Sequence, residues 1–182
     1  MDAREAREIL AAAELIVDAP AVQQAVDRVA AAVSARLAER NPLVLAIMGG
    51  ATIFAGHLLP RLGFPLEYDY LHATRYGNAT TGGELAWIVA PRTPVAGRVV
   101  LLVDDILDEG ITLAAIRSRL LGDGAAECLT AVFADKSTGR AKPIRADFVG
   151  ITLPDRYVFG FGMDVRGAWR NLPAIYALQE PA

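Results

Sequence analysis

Hydrophobic and polar positions change their period along this chain. Residues 2–17 and 20–39 carry apolar side chains at helical spacing, Ile9, Leu15 and Ile16 in the first stretch, then Val22, Val26, Val29, Val33 and Leu37 in the second, with a break at Ala19-Pro20. Two amphipathic helices are predicted over residues 1–40, packed on the body of the domain or a partner subunit and carrying no chemistry. From Asn41 the pattern alternates. An apolar run at 43–48, Gly49-Gly50, a helical stretch at 51–62 and a strand at 66–72 are followed by a polar segment at 75–84, a strand at 85–89 and an apolar strand at 99–103 that runs into paired acids. A helix at 113–121 and strands at 129–134 and 147–153 complete the series. This rhythm predicts an α/β fold built on a mostly parallel sheet.

The most informative run reads Val99-Val-Leu-Leu-Val-Asp104-Asp105-Ile-Leu-Asp108-Glu109-Gly110-Ile111-Thr112-Leu113. Its apolar half suits a central strand covered on both faces. Parallel sheets bind ligands beyond the carboxyl ends of their strands, which is where the four carboxylates fall. Gly110 permits close backbone approach, and Thr112 adds a hydroxyl beside the free amides that open a helix, so the loop is an anion site. Asp104 and Asp105 repel phosphate but accept hydrogen bonds from sugar hydroxyls and bind magnesium directly or through water. A phosphorylated sugar satisfies both halves. Two other readings stand beside this one: the acidic magnesium pocket of a receiver domain, and a core strand ending in a capped, solvated acidic turn.

A chain of 182 residues fits a single domain with a substantial core. Hydrophobic residues make up 53% and charged residues 21%, a globular composition, and the net charge of −3 gives no general attraction to nucleic acid or anionic membranes. Any anion site is therefore local. One cysteine, Cys128, and two histidines, His57 and His72, exclude a disulfide framework and a typical structural zinc site. With no signal-peptide pattern and no run of about 18 apolar residues, a cytoplasmic location is expected.

Other constellations are individually weaker. Met48-Gly49-Gly50 ends a strand and opens a helix, so its amides suit a second anion, although glycine pairs at such turns are often purely conformational. Lys136 lies two residues past an apolar run, near the carboxyl end of a strand or simply in solvent. Tyr157, Asp164 and Arg170 are, taken singly, compatible with packing or surface charge.

Together these motifs resemble the type I phosphoribosyltransferases over roughly residues 41–176, and within them the hypoxanthine-guanine branch. The resemblance implies a central, mostly parallel twisted sheet flanked by helices, a flexible lid loop and an amino-terminal helical extension. It implies magnesium-dependent transfer of a phosphoribosyl group from phosphoribosyl pyrophosphate to a 6-oxopurine, by a cytoplasmic homodimer or homotetramer that binds small molecules rather than nucleic acid or membrane. Asp104 and Asp105 would hold the ribose hydroxyls, Asp108 would take the purine proton, and Glu109, Gly110, Ile111 and Thr112 would grip the phosphate. Met48, Gly49, Gly50 and Arg170 would hold pyrophosphate. Arg75 and Tyr76 would open the lid, whose closure keeps water from a cationic sugar. Lys136 would donate to O6, Tyr157 would cover the purine face, Val158 would meet the base edge through its backbone, and Asp164, at the purine side, would join Asp104 and Asp105 as a metal-binding acid.

Three positions depart from the family pattern. Met48 stands at a lysine position, Arg75 at a serine and Glu109 at a threonine of the phosphate loop. A carboxylate about 4 Å from a phosphate is repelled by roughly 1 kcal/mol even in water, so the Glu109 side chain is expected to point away. The alternatives are transfer to xanthine or another base, and a nucleotide-sensing RNA-binding regulator on the same fold. The latter needs a basic face that a net acidic chain does not advertise.

Overall fold

In the computed structural model, aspartates set where the first helices begin. Asp2 accepts from the Arg4 and Glu5 amides at 2.9 and 2.8 Å to open α1 (Ala3–Ala12), and Asp18 accepts from the Ala21 amide at 2.8 Å to open α2 (Ala19–Leu37), with Pro20 in its first turn. The structure describes residues 1–76 and 84–179, and the side chains of all of these except 75, 76, 84 and 85.

Between these helices the sequence expectation of a helix through residue 17 is corrected. Glu14–Val17 is a strand, β1, pairing antiparallel with β9 (Ile175–Ala177), which in turn pairs with β8 (Val158–Phe159). Four residues are too few for periodicity to separate a strand from a helix tail, and the partner lies about 160 positions away, so the tertiary pairing decides.

The main sheet has the order β4-β3-β2-β5-β6-β7: Glu84–Val89, Glu67–Tyr76, Leu43–Ile47, Val99–Leu107, Glu127–Ser137 and Phe148–Pro154. All pairings are parallel except the β3–β4 hairpin. Alternation along the central strands divides the core. Val44, Leu101, Val103 and Phe133 face α2 and α3 (Ala51–Leu58), while Leu43, Leu45, Val100 and Leu102 face the Leu113, Ile116 and Leu120 side of α4 (Ile111–Gly122). Because both faces are covered, β2 is buried along its whole length, and the carboxyl ends of β2, β5 and β6 are left to form a rim.

The expected strands and helices otherwise appear, with β3, β5, β6 and α4 extending beyond the predicted bounds. Residues 77–83, most of the expected lid excursion, and the side chains of Arg75 and Tyr76 lie outside the described residues.

Candidate active site

The rim begins at the end of β5. Successive strand residues point to opposite faces, so the paired acids separate. Asp104 lines a cleft of about 350 Å³ shared with Asp108, Glu109, Gly110, Ile111 and Thr112. Asp105 turns to the other side, into a cleft of about 240 Å³ shared with Asp108, Lys136, Tyr157, Asp164 and Arg170.

Gly110, at φ +78°, carries the turn into α4 in the left-handed region that disfavours side chains. Among the described residues no side chain caps the helix, and Ile111 and Thr112 are exposed at its first turn, which leaves amides facing the Asp104 cleft. Glu109 is also exposed.

On the second side, Gly50 is fitted to Asp105: a β-carbon at residue 50 would lie 2.0 Å from an Asp105 carboxylate oxygen. Gly162 is fitted to Gly50 in turn, since its own β-carbon would lie 2.4 Å from the Gly50 carbonyl oxygen. Arg170 fastens this stack by donating to the Gly162 carbonyl at 2.5 Å, pairing with Asp164 and lying 3.9 Å from Asp105. The other Asp164 oxygen accepts from the Gly167 amide at 2.7 Å. Met48 is partly buried, its sulfur 3.2 Å from the Thr52 hydroxyl, and Gly49 is exposed with open space around it.

Burial, and after it the Asp105 charge, push the Asp104 carboxyl well above the usual carboxylate range. Burial raises Asp105 as well, opposed by hydrogen bonds to its ionised form and by Arg170. The pair is held by the Asp105 amide donating to Asp104 at 3.0 Å and the Ile106 amide donating to Asp105 at 2.8 Å. Buried acids of this kind favour occupants that supply hydrogen-bond donors or a cation.

Lys136, only 12% exposed, projects from the end of β6 and donates to the Asp108 carboxylate at 2.6 Å. Tyr157 stands across the same cleft, 53% exposed, with its hydroxyl 3.3 Å from the Asp164 carbonyl. An exposed aromatic ring offers a stacking surface, while Val158 beside it is buried. Thus Asp105, Asp108, Lys136, Tyr157, Val158, Asp164 and Arg170, spread over 66 positions of sequence, converge on one cleft.

The amino-terminal segment braces this wall. Trp169 donates to the Ala6 carbonyl at 2.7 Å, Arg166 pairs with Glu5 at 2.7 Å, and Arg156 pairs with Glu14 at 2.6 Å. Residues without a role in the sequence reading also line the rim, among them Met163, Arg140, Asp135 and Lys142. The adjacency of Asp135 to Lys136 was a readable signal; no local pattern marks Lys142.

A parallel sheet with a carboxylate-bearing central strand, an anion loop on a helix start and a second glycine loop defines the class of phosphoribosyl-binding proteins. The sequence profile of the phosphoribosyl transferase domain matches residues 12–166. The hypoxanthine-guanine phosphoribosyltransferase of Bacillus subtilis is 32% identical over 167 residues, covering 91% of this chain and 93% of that protein. The bifunctional protein TilS/HprT of Listeria innocua is 34% identical over 91% of this chain, which spans 26% of that longer protein. The crystal structure of a hypoxanthine phosphoribosyltransferase from Staphylococcus aureus superposes with a TM-score of 0.88 at 25% identity, covering 98% of this chain and 96% of the other. The chain belongs to the phosphoribosyl transferase family and, within it, to the hypoxanthine-guanine phosphoribosyltransferase enzymes.

Proposed function

We propose that this protein transfers the phosphoribosyl group of phosphoribosyl pyrophosphate to hypoxanthine, guanine or both, releasing pyrophosphate and the nucleoside monophosphate. The observation that carries this reading is the contact of Lys136 with Asp108 at 2.6 Å in the cleft that the exposed Tyr157 also lines. It joins a donor for a purine 6-oxo group and an acceptor for a ring proton on one wall. With a base on Tyr157, Lys136 turns its ammonium to O6 and frees Asp108 to take the proton as the ring nitrogen attacks the ribose. Adenine presents an amino donor, so Lys136 gains no acceptor on the base and has no reason to leave Asp108, a loss of roughly 1–3 kcal/mol relative to a 6-oxopurine.

Asp104 and Asp105 accept the ribose hydroxyls, and the α4 amides with Thr112 hold the 5-phosphate. The Gly49-Gly50 loop and Arg170 face the departing pyrophosphate, where negative charge develops. Among the described residues no three His, Cys, Asp or Glu side chains cluster tightly enough to hold a metal alone. Magnesium needs only one or two carboxylates when substrate phosphates complete its shell, and Asp164 with Asp105 in one cleft, or Asp104 in the other, would offer the hard oxygen ligands it prefers. Bound there, magnesium would offset charge on the leaving group.

The deciding experiment incubates the purified protein with magnesium and phosphoribosyl pyrophosphate against hypoxanthine, guanine, xanthine, adenine and uracil. Nucleotide formation with the first two, lost on chelation, is expected. Turnover of xanthine alone, or none with RNA retained in a gel shift, would replace this reading.

A further inference from the structure

Lys142 belongs to no motif of the phosphoribosyl site, yet its ammonium is fully engaged beside it. Nζ donates to the Leu107 carbonyl at 2.8 Å, the Lys136 carbonyl at 2.6 Å and the Asp135 carboxylate at 2.6 Å. An ammonium has three N–H donors and no acceptor, so every proton is used. The side chain is 13% exposed, a burial that is costly for a cation unless its bonds are met in this way.

The acceptors belong to two strand ends. The β5–β6 ladder stops at the Leu107–Asp135 pair, the end of β5, so Asp108 is the first residue beyond the strand. Lys136 is still held from the opposite side, through its pairing with Leu153 of β7. Among the described residues no second strand pairs with Asp108. Lys142 supplies the tie at that point by bonding the carbonyl directly before Asp108 to the backbone and carboxylate of β6. Its stem also lies 3.6 Å from where a β-carbon on Gly110 would sit, so the phosphate-loop turn rests on it.

We propose that Lys142 is a positioning residue that fixes Asp108 against β6 and so aligns the proton acceptor with a base already held by Lys136. The inference rests on the phosphoribosyl-transfer reading above. It assigns Lys142 no contact with substrate and predicts that rate and recognition separate.

The test replaces Lys142 by Met, which keeps the length of the stem and removes the donors. Turnover is expected to fall about ten-fold, with KM for both substrates within about two-fold of the parent and the preference for hypoxanthine over adenine retained. Amide hydrogen exchange in the ligand-free protein is expected to quicken across residues 105–111 and not across the rest of the sheet. Asp135→Asn should show a smaller change in the same direction and add nothing to Lys142→Met, because its carboxylate acts through the ammonium. Parental turnover with unchanged exchange at 105–111 would overturn the proposal, as would exchange rising throughout together with loss of base preference. If the unmodified protein converts no base, the transfer reading fails, while exchange at 105–111 still decides whether Lys142 holds Asp108.

Discussion

Gly50 and Asp105 share a single volume: a β-carbon on residue 50 would lie 2.0 Å from one oxygen of that carboxylate and 2.4 Å from its carbon. The second glycine of the pair is therefore required by contact, and the first is not, since a β-carbon on Gly49 meets nothing within 4 Å. Gly50→Ala has to displace a buried acid that is also within reach of Arg170. Overpacking of this kind costs about 1–3 kcal/mol, a fall in Tm of roughly 2–10 °C for a chain of this length. Turnover should drop by about 10²-fold through the misplaced carboxylate. Gly49→Ala should melt with the parent. Thermal melts and steady-state rates of the two variants together check the assignment.

Asp108 and Lys136 touch each other but serve different parameters. Asp108→Asn keeps the size of the side chain and removes its basicity, so kcat is expected to fall by about 10²–10⁴ with KM values little changed. Turnover near the parent's would remove Asp108 from the base role. Lys136→Ala is expected to narrow the hypoxanthine-to-adenine ratio by about 5- to 150-fold, the equivalent of roughly 1–3 kcal/mol. An unchanged ratio would show that another group reads the 6-position.

Asp104 is stabilised in its protonated form by burial and by the neighbouring Asp105 charge. As pH rises past the ordinary carboxylate range, near 4, the unfolded chain releases this proton while the folded chain retains it. Folding stability therefore falls with rising pH until the folded carboxyl also ionises. Asp104→Asn is expected to raise Tm by a few degrees at pH 7 and to change it little at the acid end of the stable range. The same substitution should raise KM for phosphoribosyl pyrophosphate by about ten-fold or more, because charge-assisted bonds to the ribose hydroxyls are lost. Melting curves across pH, paired with kinetics, separate this trade-off from simple damage.

The central part of this site was legible because its signals are local. An apolar run ending in Asp104-Asp105, a glycine turn and a hydroxyl lie within fifteen residues, and the strand that carries them is buried on both faces for the same reason that it reads as unbroken Val and Leu. Tyr157 and Lys136 were legible through family spacing, not from chemistry of their own, since a tyrosine or lysine alone has many uses. What escaped the sequence is non-local. The β1 strand is defined by Ile175–Ala177, the amino-terminal bracing of Trp169 and Arg166 joins residues more than 160 positions apart, and Lys142 is defined by carbonyls on two strands. Side-chain alternation also turned Asp104 and Asp105 toward separate clefts, a divergence that their adjacency in sequence does not announce.

Glu109 and Met48 offer the last test, because both depart from a pattern made for anions. Glu109 is exposed yet lines the cleft formed by Gly110, Ile111 and Thr112, so its charge remains within reach of a phosphate even if its carboxylate points outward. Through water-like screening such a charge is worth about 1 kcal/mol at 4 Å, or roughly five-fold in affinity. Glu109→Thr is expected to lower KM for phosphoribosyl pyrophosphate by about that factor, with the effect shrinking as salt is raised. Met48→Lys adds a cation beside the exposed Gly49 amide and should act on pyrophosphate more than on the 5-phosphate. Product inhibition by pyrophosphate therefore strengthens in Met48→Lys and stays level in Glu109→Thr. Equal shifts in both variants would mean that a general change in local charge, rather than two distinct anion sites, governs binding at this rim.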